Sequence, residues 1–196
     1  MNRSKDKIIN HVAILLNNGE IKKAEKIIND EYPFIPVHNP KRSYTPKQMM
    51  KQFFEDGFID RYSGKHLINP GLLRVISEKM PQSFPYQAHW KTSECHIAFY
   101  EYSPTIDHII PISLGGEDTN RNWATTSMLN NSAKANFTLE QLQWNLKDKG
   151  KITEWDGLSH LFIEIVDKDN SLLKIKRIKD WYKVTKEMME EYNIHK

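Results

Sequence analysis

The chain has 196 residues, 39% of them hydrophobic, 27% charged and 11% aromatic, enough for a core without cross-links and for one moderate domain or a compact catalytic domain with a helical attachment. These proportions disfavour a disulfide-stapled mini-protein, a collagen, a coiled-coil rod and a mostly disordered chain, and the lone Cys95 rules out an intrachain disulfide or a multi-cysteine zinc site. The formal charge of +3 permits nucleic-acid binding without demanding it, and a positive surface is expected from residues 1–100, with 15 Lys and Arg against 10 Asp and Glu, rather than from residues 101–196, with 13 against 15.

Ile8, Ile9, Val12, Leu15 and Leu16 recur at helical spacing until Asn18-Gly19 stops the run, and Ala24, Ile27 and Ile28 suggest a second short helix. Pro33, Pro36 and Pro40 then forbid a helix and make an extended linker. Thr45-Pro46-Lys47-Gln48 reads as a capping box opening a helix through Met49, Met50, Phe53 and Phe54 to Gly57. Residues 58–68 read as strand, turn, strand, and Asn69-Pro70-Gly71 opens a helix carrying Leu72, Leu73, Val75 and Ile76. His96 to Tyr102 is dense in β-formers and predicts a strand. Thr138 should cap a helix with Leu139, Leu142 and Leu146, ended by Gly150. Another helix starts near Asp156, and a last one places Leu172, Ile175, Ile178, Trp181, Val184 and Met188 on a broad apolar stripe. No apolar run approaches the roughly 20 residues that span a bilayer. The polar start and the short His11–Leu16 fragment lack a signal-peptide pattern, so a cytoplasmic location is expected.

One stretch does not read as routine core. Asp107-His108 interrupts an apolar strand pattern; Pro111 and Gly115-Gly116 impose a loop; Asn122-Trp123 begins a second strand; Asn131 and Lys134 sit three apart on one helical face. His108 to Asn122 is 14 residues and His108 to Asn131 is 23. This stretch resembles the HNH nuclease family in its Asp-His-Ile-x-Pro start, its Gly-Gly loop and both asparagine spacings. The resemblance implies an α+β fold: a ββα-metal hairpin and helix embedded in a mostly helical domain. It implies Asp107 and Asn131 as ligands of one divalent cation, His108 as general base and Asn122 as the residue fixing the His-bearing loop. Lys134 would contact phosphate or support the site. The chemistry agrees with these roles: hydrolysis of an anionic phosphodiester needs a cation at the phosphoryl oxygens, imidazole titrates near neutral pH, and a nitrogen committed to a metal could not take the proton. Adjacent strand residues face opposite ways, so Asp107 and His108 can share a site only if the strand ends or bulges there.

Many relatives carry two Cys-x-x-Cys knuckles around a structural zinc. Here those positions fall at Asp60 and Ser63 and at Ser127 and Asn130, side chains that suit zinc poorly. No structural zinc is expected; an aromatic core of Phe58, Tyr62, Phe99, Tyr100, Trp123 and Phe137 would replace it. Lys41, Arg42, Arg61, Lys65, Lys91 and Arg121 are the basic residues expected to meet phosphates, with Arg3, Lys47, Lys51 and Arg74 as further candidates. The expected organisation is a helical hairpin and linker over 1–40, a nuclease domain over 41–150 with its core motif at 104–136, and a C-terminal helical extension over 151–196. The expected activity is Mg²⁺-dependent hydrolysis of double-stranded DNA, with Mn²⁺ able to substitute, leaving 5′-phosphate ends. A dimer would be needed to cut both strands at once. A bacterial or phage origin fits, and a type II restriction enzyme is one form it could take. A degenerate module that binds without cutting, and a nuclease for RNA or branched DNA, remain open.

Overall fold

A computed structural model describes residues 3–36 and 43–194. Lys41 and Arg42, two of the expected phosphate contacts, lie outside the described residues. The chain divides into two compact units, Met1–His38 and Asn39–Lys196. In the first, α1 (Lys5–Asn17) and α2 (Ile21–Glu31) pack on each other, with Ile8 and Ala24 buried.

The second unit begins with α3 (Pro46–Glu55), whose capping box is closed in both directions: Gln48 N donates to Thr45 Oγ1 at 3.2 Å and Thr45 N to Gln48 Oε1 at 3.0 Å. Residues 58–68 form no pair of strands; Ile59 and His66 make a single bridge. Asp60 N donates to Lys65 O and Leu67 N to Phe58 O across the turn, but Asp60 Oδ1 takes Tyr62 N and Ser63 N, and Arg61 N donates away to Thr125 O at 2.8 Å, so no ladder develops. Next comes α4 (Pro70–Lys79), capped by Asn69. The expected strand over 96–102 is instead the short helix α5 (Ala98–Tyr102). A helical turn sets Phe99 into a cluster with Leu73 and Cys95, a tertiary gain that outweighs β propensity.

Strand β1 (Pro104–His108) pairs antiparallel with β2 (Trp123–Ser127), from Pro104 opposite Ser127 to His108 opposite Trp123. Directly after β2, α6 (Met128–Lys134) packs on both strands, with Ser127 Oγ capping it through Asn130 N. The helix expected to run to Gly150 is one turn, α7 (Leu139–Leu142), stopped by Gln143 at φ +57°. Beyond it the chain is claimed by other backbone: Lys147 N donates to Arg61 O and Gly150 N to Asp56 O. Two helices complete the unit, α8 (Ser159–Lys168) and α9 (Lys176–Glu191). Helix α9 packs on α3, α4 and α8. Its Val184 and Met188 join Phe53, Phe54, Phe58 and Ile106 in one core, and its Ile178 joins Leu72, Phe162 and Val166 in another. Of the expected aromatic core, Phe58, Tyr62 and Phe99 are buried, Tyr100 and Trp123 half-buried, and Phe137 is exposed. The unit is thus mostly helical with a two-stranded antiparallel sheet, an α+β arrangement. Among the described residues no helix is long and apolar enough to cross a membrane.

Candidate active site

Strand β1 ends at His108, so the irregularity that two adjacent site residues require is a strand terminus. Asp107 and His108 both line one cleft of about 310 Å³, together with Tyr44, Ile112, Asn131 and Asn136. Fourteen residues after His108, Asn122 reaches back across the hairpin. Its Oδ1 accepts from Ile110 N at 2.8 Å, its Nδ2 donates to Ile110 O at 2.8 Å and to Glu117 O at 2.9 Å, and its carbonyl accepts from Ile109 N. Three residues of the loop after His108, Ile109, Ile110 and Glu117, are therefore pinned by one residue.

The carboxylate of Asp107 is held on one side. Tyr62 Oη donates to Oδ2 at 2.6 Å and Lys134 Nζ lies 2.8 Å from the same oxygen, while Oδ1 has no hydrogen-bond partner among the described residues. Burial, then the charge of Asp107 and the hydrogen bond to it, push the Tyr62 phenol well above its ordinary pKa, so it stays a donor. Lys134 is fully buried and also donates to His108 O at 2.7 Å. From there it ties the carbonyl that ends β1 to the Asp107 carboxylate. Asn131, on α6, borders the same cleft, and its Nδ2 reaches Thr105 Oγ1 and Ile106 O at the long limit of 3.5 Å.

Asp118 was not legible as a site residue. From the loop between the strands its Oδ1 meets His108 Nε2 at 2.8 Å and accepts from Trp123 Nε1 at 2.9 Å and Tyr44 Oη at 3.0 Å. Burial works against its charge, but hydrogen bonds from His108, Trp123 and Tyr44 prevail and hold this carboxyl below its usual range. Its place inside the motif loop, four residues before Asn122, was the only available signal. Tyr44 comes from 64 positions away and offered none.

Among the basic residues, Arg61 is a correction. It is 8% exposed, its Nη1 is paired with Asp56 at 2.9 Å and its Nε donates to Lys147 O, so its charge serves the interior. Lys91 is exposed and paired with Glu94, whereas Lys65 and Arg121 are exposed with no ion pair among the described residues. Lys47 and Lys51 pair with Glu187 and Glu191 on α9.

Asp60, Ser63, Ser127 and Asn130 converge on the Asp60 carboxylate. Asp60 Oδ2 accepts from Ser127 N at 2.9 Å and Asn130 Nδ2 at 2.8 Å, while Oδ1 accepts from Tyr62 N, Ser63 N and Thr126 Oγ1. A carboxylate ties the turn at 60–63 to the junction of β2 and α6.

Among the described residues no three His, Cys, Asp or Glu side chains gather to hold a metal ion. The cleft still suits a hard cation of low protein ligand count: it brings together a carboxylate with one uncommitted oxygen and an amide side chain, leaving further positions for water and phosphate oxygens. A strand hairpin and helix that present an aspartate, a histidine and an asparagine on one cleft, over a pinned loop, suit a nuclease. Residues 93–127 match the family model described as HNH endonuclease. The match contains Asp107, His108, Asp118 and Asn122 and stops before Asn131 and Lys134. No curated protein and no solved structure matches the chain.

Proposed function

We propose that this protein is a metal-dependent endonuclease that hydrolyses phosphodiester bonds of double-stranded DNA, with His108 as the general base. The observation that carries the reading is the convergence of Asp107, His108 and Asn131 on one cleft. Asp107 and Asn131 would hold a divalent cation, Mg²⁺ or Mn²⁺, which when bound supplies Lewis acidity at the phosphoryl oxygens. His108 takes a proton from the attacking water, and the ionised Asp118, 2.8 Å from Nε2, faces the positive charge the ring then acquires. Asn122 keeps the loop from carrying the ring away; a misplacement of about an ångström costs roughly 100-fold in rate. Lys134 and Tyr62 fix Asp107 from behind. The products are 5′-phosphate and 3′-hydroxyl ends. One cleft cuts one strand, so a double-strand break takes a homodimer or a second encounter.

The test is nicking of supercoiled plasmid with Mg²⁺ or Mn²⁺. His108→Ala and Asn131→Ala should each lower the rate by about 100-fold or more, and chelation should abolish it. Full cleavage by both variants would overturn the assignments. Retention on DNA without metal-dependent cutting by the unmodified protein would leave the binding-module reading instead.

A further inference from the structure

Tyr44 separates two cavities. On one side is the cleft above; on the other is a cavity of about 380 Å³ walled by Tyr86, Trp90 and Trp181 and reached by Arg74 and Arg177. The two arginines make this more than a gap between aromatic rings. Arg74 is half-buried, its guanidinium stacks 3.7 Å above the Tyr86 ring, and its Nε is sealed from solvent with no hydrogen-bond acceptor. Neither arginine has an ion pair among the described residues. Burial foremost, with the charge of Arg177 adding to it, lowers the Arg74 pKa from its ordinary value against the opposing pull of Tyr86 and Glu78. A half-buried guanidinium with no ion pair, which feels Glu78 only at a distance, is costly to maintain, and an anionic ligand relieves it.

Trp90 is also unusual. It holds φ at +54°, a conformation that bulky L-residues avoid, secured by its N–H on Gln87 O and by Tyr100 Oη donating to its carbonyl. A strained backbone that sets an indole into the wall of an aromatic cavity is the kind of feature kept for contact with a ligand. Flat aromatic walls beside guanidinium groups fit one chemistry well: a nucleobase stacks on the rings while its phosphate meets the arginines. A base still paired in a duplex cannot enter a pocket of this size with its partner, so the occupant is a nucleotide that has left the stack.

We propose that this cavity receives one unpaired nucleotide of the strand being cut, next to the scissile phosphate. The proposal rests on the nuclease reading of the neighbouring cleft, and it makes the preferred substrate a duplex with a bulged or extruded nucleotide.

Binding is measured with the full chain in EDTA, where no cutting occurs, using a fluorescent 20-base-pair duplex and the same duplex with a single-nucleotide bulge. The bulged duplex should bind on the order of 10-fold tighter and quench tryptophan fluorescence. Arg74→Gln should remove most of that preference. Arg177→Gln, on an exposed helical position, should do so in part and guards against a misfolded first variant. Equal affinity of the unmodified chain for both duplexes overturns the proposal, as does a preference that survives in the double variant. Quenching by a free mononucleotide with no bulge preference also overturns it. Plasmid nicking by the unmodified chain with Mn²⁺ scores the cleft separately: nicking without bulge preference removes the pocket alone, and bulge preference without nicking removes the nuclease reading alone.

Discussion

The Asp60 carboxylate is 1% exposed and accepts hydrogen bonds from Tyr62 N, Ser63 N, Thr126 Oγ1, Ser127 N and Asn130 Nδ2. Burial opposes its charge, but the donors, Ser127 N foremost, outweigh that and lower its pKa. A carboxyl whose folded pKa lies below its unfolded value, about 3.9, adds stability that is fully present above that value. The contribution is lost as pH falls through the folded pKa. Asp60→Ala should cost on the order of 3 kcal/mol at pH 7, because several buried donors lose their acceptor. The cost should shrink in unfolding titrations as pH falls below about 4, where the unfolded carboxyl begins to take up protons, and level off only below the lower folded pKa. An equal loss at pH 7 and pH 3 would remove the electrostatic account. The family resemblance placed Ser127 and Asn130 at knuckle positions by motif spacing and Asp60 and Ser63 by the look of their turn, all four without thiols. It did not show that one carboxylate joins them, because three of its partners lie 66 to 70 positions away and one of these is a backbone amide with no residue-type signature.

Between residue and domain, the loop from Ile109 to Asn122 is the element whose stiffness the chemistry needs. Gly116 is required there for space rather than for dihedral freedom. A Cβ at that position would lie 1.9 Å from Ile110 O and 2.8 Å from Asn122 Nδ2, within the contacts that close the loop. Gly116→Ala should therefore separate Asn122 from Ile110 and cut plasmid nicking by roughly 100-fold, with the fold intact by circular dichroism. Near-normal nicking would mean that His108 is held by other contacts. The Gly-Gly signal and the capping box at Thr45 were visible in the sequence because each depends on neighbours within a few positions, and Asn122 was visible through its spacing of 14 from His108. Local signals failed where distant backbone competes. The β-forming residues at 96–102 coil into α5 to bury Phe99, and the leucine spacing through Leu146 is overruled by hydrogen bonds from residues 147 and 150 to residues 61 and 56.

Within the larger unit, the site depends on helices far from it in sequence, since α9 supports α3, and α3 packs on both strands. The apolar stripe of α9 was legible, but the joint that orients it was not. Asn69 reads as a helix cap and does cap α4, accepting from Gly71 N at 2.8 Å. Its Nδ2 also donates at 3.0 Å to Ser159 Oγ, at the start of α8, and at 3.0 Å to Thr185 Oγ1, on α9. All three residues are fully buried, so one amide side chain joins three helices where water cannot substitute for it. Asn69→Ala removes the cap and strands two hydroxyls, a cost of about 3 kcal/mol. For a unit of this size that lowers Tm by roughly 6–12 °C. Thr185→Val should cost less than half as much, because Asn69 keeps Ser159 and its cap. Equal losses in the two variants would show that α9 is oriented by its apolar stripe alone, with Asn69 no more than the start of α4.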